Sequence, residues 1–168
     1  MKKIILLILL LALSGCYDYK EINDLAIITA IGVDYEDEEY KITLEVLNDQ
    51  GDKDSGMIKS YTKTGSDKSL AKALEEAADL LSNQANYTHV KLMILSDTIT
   101  DGRFSTIIDF FMRSTYFREN FYVISSMNVE PEKILKNTTD NEPVASTSII
   151  NLLESLNYSS NSGVLKTF

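Results

Sequence analysis

The sequence predicts an α/β (α+β) domain: a mixed sheet with an N-terminal antiparallel hairpin and βαβ crossovers, its helices packed on the sheet. Three observations predict it. Two runs rich in Ile, Val and Leu, Ala26 to Val33 and Tyr40 to Leu47, flank a short acidic segment. From Leu70 the apolar spacing changes from alternation to a helical period. Between Met57 and Ser126 strand-like and helix-like patterns then alternate, which favours right-handed crossovers and a partly parallel sheet. The 168 residues, 44% hydrophobic and 24% charged, suit one domain with a core of its own.

The elements follow in order. Ala26 to Val33 reads as a buried strand, and Gly32 within it marks a bulge or a close backbone approach. Asp34 to Glu39 reads as a solvated acidic turn. It lacks the central Gly and distal Glu of a calcium loop. Tyr40 to Leu47 alternates, with Ile42, Leu44 and Val46 on one face and Lys41, Thr43 and Glu45 on the other, as in a half-buried strand. Asn48 to Gly56 is a loop, and Met57 to Thr64 is a weaker third strand. Leu70, Leu74, Ala77 and Leu81 share one helical face, and Ser69 is placed to cap that helix. Asn83 to Tyr87 ends it, and Val90 to Leu95 is a strongly apolar strand. A second helix follows Asp101-Gly102, with Phe104, Ile107, Ile108 and Phe111 facing inward. Phe121 to Ser126 is another strand, and Pro131 opens a short helix ending near Lys136. Thr147 to Leu156 is a last amphipathic helix carrying Ile149, Ile150, Leu152, Leu153 and Leu156.

Composition excludes several classes. One Cys permits no intrachain disulfide, and one His permits no His-rich metal cluster. A net charge of −9 argues against nonspecific nucleic-acid binding, which needs Lys and Arg to displace counterions. Neither a Gly-x-Ser-x-Gly elbow nor a phosphate-binding or dinucleotide Gly motif is present. No catalytic constellation emerges, so the expectation is a protein that is not an enzyme and needs no cofactor.

The amino terminus is more informative. Lys2 and Lys3 precede an apolar run from Ile4 to Leu13. As a helix that run would be about 15 Å long, against a bilayer core of about 30 Å, which is the pattern of a secretory signal peptide. Leu13-Ser14-Gly15-Cys16 then looks like the lipobox of bacterial lipoproteins, in which the Cys is acylated, with palmitate for example, and becomes the first residue. Residues 1–15 are thus expected to be a lipoprotein signal peptide, 16–24 the lipidated Cys16 and a tether, and 25–168 the folded domain. Cleavage would leave 153 residues and, with Lys2 and Lys3 gone, move the net charge from −9 to −11. Two or more acyl chains give a stable anchor, while an acidic body is repelled by anionic lipid.

Three side chains are weighed as binding residues. His89 stands at the start of an apolar strand and lacks a local nucleophile or second ligand, so capping or hydrogen bonding there is the simpler role. Arg113 and Arg118 lie near the end of the second helix. They can receive a partner's carboxylate, neutralise the helix C-terminus or pair with Glu119.

Cys16-Tyr17-Asp18, Glu21-Ile22-Asn23-Asp24-Leu25-Ala26 and Ile31-Gly32-Val33-Asp34 together resemble the start of the spore germination lipoproteins of the Ger(x)C family. The likeness continues through Tyr61 to Gly65, Ser69 to Ala73, Tyr87-Thr88-His89-Val90-Lys91, Asp109 to Arg113 with Arg118, and Pro131 to Leu135. Members are usually longer, so the chain resembles the N-terminal domain alone, with later domains missing. The resemblance implies the C subunit of a nutrient germinant receptor, acting by protein–protein interaction. Its partners would be integral-membrane A and B subunits, and its place the outer, extracytoplasmic face of the spore inner membrane, held by lipid. It assigns lipidation to Cys16 and makes Glu21, Asn23, Asp24, Arg113 and Arg118 candidate partner contacts. The alternative is a free-standing extracytoplasmic lipoprotein that binds a small solute.

Overall fold

The two leading apolar runs pair with each other. In a computed structural model, which describes residues 25–48, 58–118, 120–139 and 141–159, β1 (Leu25–Glu36) and β2 (Glu39–Asn48) form an antiparallel hairpin. Glu36 pairs with Glu39, and Asp37 and Glu38 turn the chain with φ of 50° and 64°. A two-residue hairpin loop of type I′ has positive φ at both positions, which matches the strands' twist. β3 (Lys59–Asp67) adds to β2 antiparallel. The other side of β1 takes parallel partners: β4 (Gln84–Asn86) beside Leu25–Ile27, then β5 (Leu92–Ser96) beside Ala30–Val33. β6 (Tyr122–Ser126) completes the sheet in parallel with β5. The order across it is β3-β2-β1-β5-β6, with β4 beside β1, so the sheet is mixed as the sequence predicts. The short strand β4 falls within the stretch read as a helix ending.

Helices cover both faces. α1 (Leu70–Asp79) and α2 (Asp101–Arg113) close the front, where Ile28, Ile31, Val33, Ile42, Leu44, Val46 and Met93 meet Ala73, Ala77, Ile107 and Phe111. α3 (Pro131–Lys136) and α4 (Ala145–Ser159) close the back, where Ala30, Leu92 and Ile94 meet Leu135 and Ala145. Two glycines set the spacing. A Cβ on Gly65 would lie 2.3 Å from the Ala77 backbone nitrogen and 2.6 Å from the Ala73 carbonyl oxygen, so α1 packs directly on β3. A Cβ on Gly32 would lie 2.8 Å from Pro131 Cβ, so Gly32 marks the close approach of α3. The bulge in β1 is elsewhere, between Ile28 and Ala30.

Several details differ from the sequence reading. Thr43 and Glu45 are buried, because α3 and α4 cover the face that alternation alone assigns to water. Asp34 is buried too, accepting Thr98 Oγ1 at 2.9 Å and the Tyr35 amide at 2.8 Å, so only part of the acidic run is solvated. Ser69 stands at the N-cap of α1 in extended conformation, but its side chain makes no capping hydrogen bond. Instead its amide donates to Asp67 Oδ1 at 2.7 Å, and Glu76 takes the Ser66 amide at 2.8 Å. Phe104 is partly exposed at the start of α2, while Ile107 and Phe111 are fully buried. Leu152 and Leu156 lie exposed on α4.

Candidate functional site

The back face is organised around carboxylates. Thr29, the extra residue of the β1 bulge, donates its hydroxyl to Glu45 Oε2 at 2.7 Å. Ser60 on β3 donates to Oε1 at 2.9 Å. The first amides of α4 supply the rest: Ala145 N lies 2.7 Å from Oε1 and Ser146 N 3.2 Å from Oε2. Glu45 is fully buried, and its negative charge meets the positive end of the α4 dipole. Beside it, Glu132 of α3 receives Lys41 of β2 at 2.7 Å and Lys136 at 2.6 Å, and accepts Thr64 Oγ1 at 3.2 Å. Hydrogen bonds from Lys136 and Lys41 hold the Glu132 carboxyl down at about 2, and the bond to Glu132 raises Lys41. Glu130 pairs with Lys133 at 2.6 Å and lies 3.5 Å from Lys41. This network fixes helices to the sheet, and every member is engaged internally.

The binding candidates lie elsewhere. Cys16, Glu21, Asn23 and Asp24 fall outside the described residues. Arg113 is the last residue of α2, and its Nε donates to Asp109 Oδ1 at 2.7 Å. That hydrogen bond, reinforced by the Asp109 charge, raises its pKa. Arg113 rims an apolar groove of about 630 Å³ with Leu74, Tyr87, Phe110, Tyr116 and Phe117. In the groove wall the Tyr87 and Phe117 ring centroids are 4.9 Å apart, and Phe111 meets Phe117 edge-on at 5.0 Å. Burial pushes the Tyr87 phenol up to about 12.

Arg118 belongs to a different place. It lies in the loop between α2 and β6, exposed, and lines a cleft of about 420 Å³ with His89, Lys91, Tyr122, Ile150 and Glu154. The two arginines therefore do not share a site. His89 closes the 3₁₀ turn Tyr87–His89, and its exposed ring makes no hydrogen bond among the described residues, so the expected strand-start hydrogen bond is not its role. That bond is made by Asn86, whose Oδ1 accepts the Thr88 amide at 3.0 Å. Sequence reasoning passed over Lys91 as a site residue. It stands two residues after His89, and their shared cleft is set by β5 pairing with β6. At the opposite ends of β1, β5 and β6, Asp34, Glu36, Asp97, Glu130 and Lys133 surround an acidic crevice of about 270 Å³.

Among the described residues no group of three His, Cys, Asp or Glu is arranged to hold a metal ion. No helix among them is long and apolar enough to cross a membrane. The fold and its clefts define a three-layer α+β domain with both sheet faces covered and its distinctive surfaces at the strand ends and between the front helices. The family model described as "Spore germination protein N-terminal domain" matches residues 18–167, and the chain belongs to that family. It is 25% identical over 162 residues to spore germination protein KC of Bacillus subtilis (strain 168), covering 90% of this chain and 39% of that protein. It is 23% identical over 154 residues to spore germination protein B3 of the same organism, covering 88% of this chain and 41% of that protein. The chain thus spans about two-fifths of the length of these curated relatives. No solved structure matches it significantly. The resemblance read from the Glu21-to-Ala26 block and the Arg-bearing helix end is borne out.

Proposed function

We propose that the chain is the N-terminal domain of a lipid-anchored C subunit of a spore nutrient germinant receptor, acting by protein–protein contact and not by catalysis. The observation that carries this reading is the family match over residues 18–167, beginning two residues after a lipobox Cys16. In this reading residues 1–15 are removed, Cys16 is acylated, and residues 16–24 tether the domain to the outer face of the spore inner membrane. Integral-membrane A and B subunits are the partners. Glu21, Asn23 and Asp24 on the tether, with Arg113 and Arg118 on the domain, are the contact candidates. Arg113 has geometry for this: an exposed guanidinium, paired with Asp109 through Nε alone, beside an apolar groove gives a partner helix both a surface to cover and further N–H donors to meet.

The test is Cys16→Ala. The variant is expected to move from the membrane to the soluble fraction of spore extracts and to germinate poorly with nutrients. Stable expression with normal membrane partition and normal germination would refute the reading.

A further inference from the structure

The cleft at the N-terminal ends of β5 and β6 inverts the charge of its surroundings. His89, Lys91 and Arg118 line it against one carboxylate, Glu154, in a chain of net charge −9. Cations of the back face are committed, Lys41 and Lys136 to Glu132 and Lys133 to Glu130, while on α2 Arg113 pairs with Asp109 and Arg103 stacks over the Tyr35 ring at 3.8 Å. Lys91 and Arg118 form no ion pair among the described residues, and Glu154 instead receives the Tyr122 hydroxyl at 3.3 Å. Burial first, then Glu154, raises the Tyr122 pKa.

The cleft's backbone is fixed before any ligand arrives. The Lys91 amide donates to the Thr29 carbonyl at 3.0 Å, and its carbonyl accepts the Tyr122 amide at 2.8 Å. Asn86 clamps the preceding turn through the Thr88 amide at 3.0 Å and hydroxyl at 2.6 Å. Buried Val90 and half-buried Ile150 add apolar lining. A volume of about 420 Å³ falls in the small-ligand range of about 300–1,000 Å³.

We propose that this cleft binds an oxyanion-bearing ligand, a carboxylate or a phosphate, through Arg118, Lys91 and His89. Arg118 supplies a planar two-pronged donor, Lys91 a second positive charge and His89 a ring N–H. The ligand's apolar remainder lies against Ile150 and the Tyr122 ring. The site stands independently of the receptor reading, because a small oxyanion would bind whether or not the domain joins a receptor.

His89 is the single histidine, so its ring-proton resonances report on this cleft alone. The full chain in neutral detergent is titrated with succinate, with inorganic phosphate, and with sodium chloride at matched ionic strength. A saturable shift of the His89 signals in the millimolar range is expected with at least one oxyanion and not with chloride. Arg118→Gln and Lys91→Gln should each weaken it about tenfold, the loss expected for one charge-assisted hydrogen bond. Lys72→Gln, on the exposed face of α1 and outside the cleft, should leave it unchanged. Both cleft residues are exposed, and unchanged far-UV circular dichroism will show that the variants fold. Response to succinate alone assigns a carboxylate, to phosphate alone a phosphate, and to both a general oxyanion site. No saturable shift, a shift matched by chloride, or a shift indifferent to Arg118→Gln and Lys91→Gln would overturn the proposal.

Discussion

Glu45→Ala should unfold the back of the domain more readily than any surface change, and the geometry gives the size. Four donors converge on the Glu45 carboxylate: two hydroxyls and two amides. The hydroxyls have alternatives, since Ser60 Oγ lies 3.2 Å from the Pro143 carbonyl and Thr29 Oγ1 lies 3.5 Å from the Glu45 carbonyl. The Ala145 and Ser146 amides form the first turn of α4, where no intrahelical acceptor exists. Each would be left buried and unsatisfied, at about 1–3 kcal/mol apiece. Relief from burying a carboxylate offsets part of this, so about 3 kcal/mol is expected for Glu45→Ala. Glu45→Gln keeps one oxygen and the shape, and the hydroxyls can rotate to accept from the new NH₂. One amide is orphaned, for about 1–2 kcal/mol. Urea unfolding followed by circular dichroism should show midpoints in the order wild type, Gln, Ala with unchanged slope. Hydrogen exchange should show early loss of protection at Ala145 and Ser146. If both variants fall within about 0.5 kcal/mol of wild type, the range of ordinary surface substitutions, Glu45 does not hold α4 to the sheet.

Three further outcomes are expected. Gly65→Ala drives a methyl into the α1 backbone at Ala73 and Ala77, so the helix must move. A loss of at least about 2 kcal/mol by urea titration is expected, in the range of overpacked cores. Glu38→Gly relieves a left-handed φ of 64° that costs a side chain about 1 kcal/mol, and should raise thermal stability slightly despite the extra freedom of the unfolded chain. The Glu132 carboxyl sits at about 2 in the folded chain against an ordinary 4.5, so protonation favours unfolding. Its contribution is whole above about pH 4.5 and fades as pH falls towards 2. The urea midpoint should therefore drop less between pH 5 and pH 3 in Glu132→Gln than in wild type, by a modest amount because the ion pairs are partly solvated.

The front of the domain was legible because its signals are local. The Ile and Val runs and the Leu70-to-Leu81 period each depend on neighbours within a few residues and became the expected elements, while the acidic run supplied the turn only at Asp37 and Glu38. The back face was not, because alternation reports only that one face of a strand is polar. Thr43 and Glu45 look solvent-facing until α3 and α4 arrive from about a hundred residues later. A signal did exist. Two helices with apolar faces after the last strand need a surface, and the front is already occupied by α1 and α2. Strand β4 escaped because three residues, Gln84, Ala85 and Asn86, carry no periodic pattern, and pairing with Leu25–Ile27 alone makes them a strand.

The same distinction separates what could be foreseen of the binding surfaces from what could not. Arg113 and Arg118 are five apart and read as one feature, yet α2 stops at Arg113. The loop that follows carries Arg118 to another cleft. His89 and Lys91 look like residues flanking a strand start, and nothing local brings an arginine from about thirty residues on. The parallel pairing of β5 with β6 does so, setting the Lys91 carbonyl on the Tyr122 amide and bringing the Arg118 loop beside it. Structural carboxylates here are buried or paired with lysines, whereas the cations of this cleft are left unpaired among the described residues. Charge that holds this fold together is satisfied within it, by lysines at Glu132 and by hydroxyl and amide donors at Glu45. Charge left open at the junction of three segments is available to something outside the fold, which is why the cleft, and not the stronger back-face network, is the surface to probe.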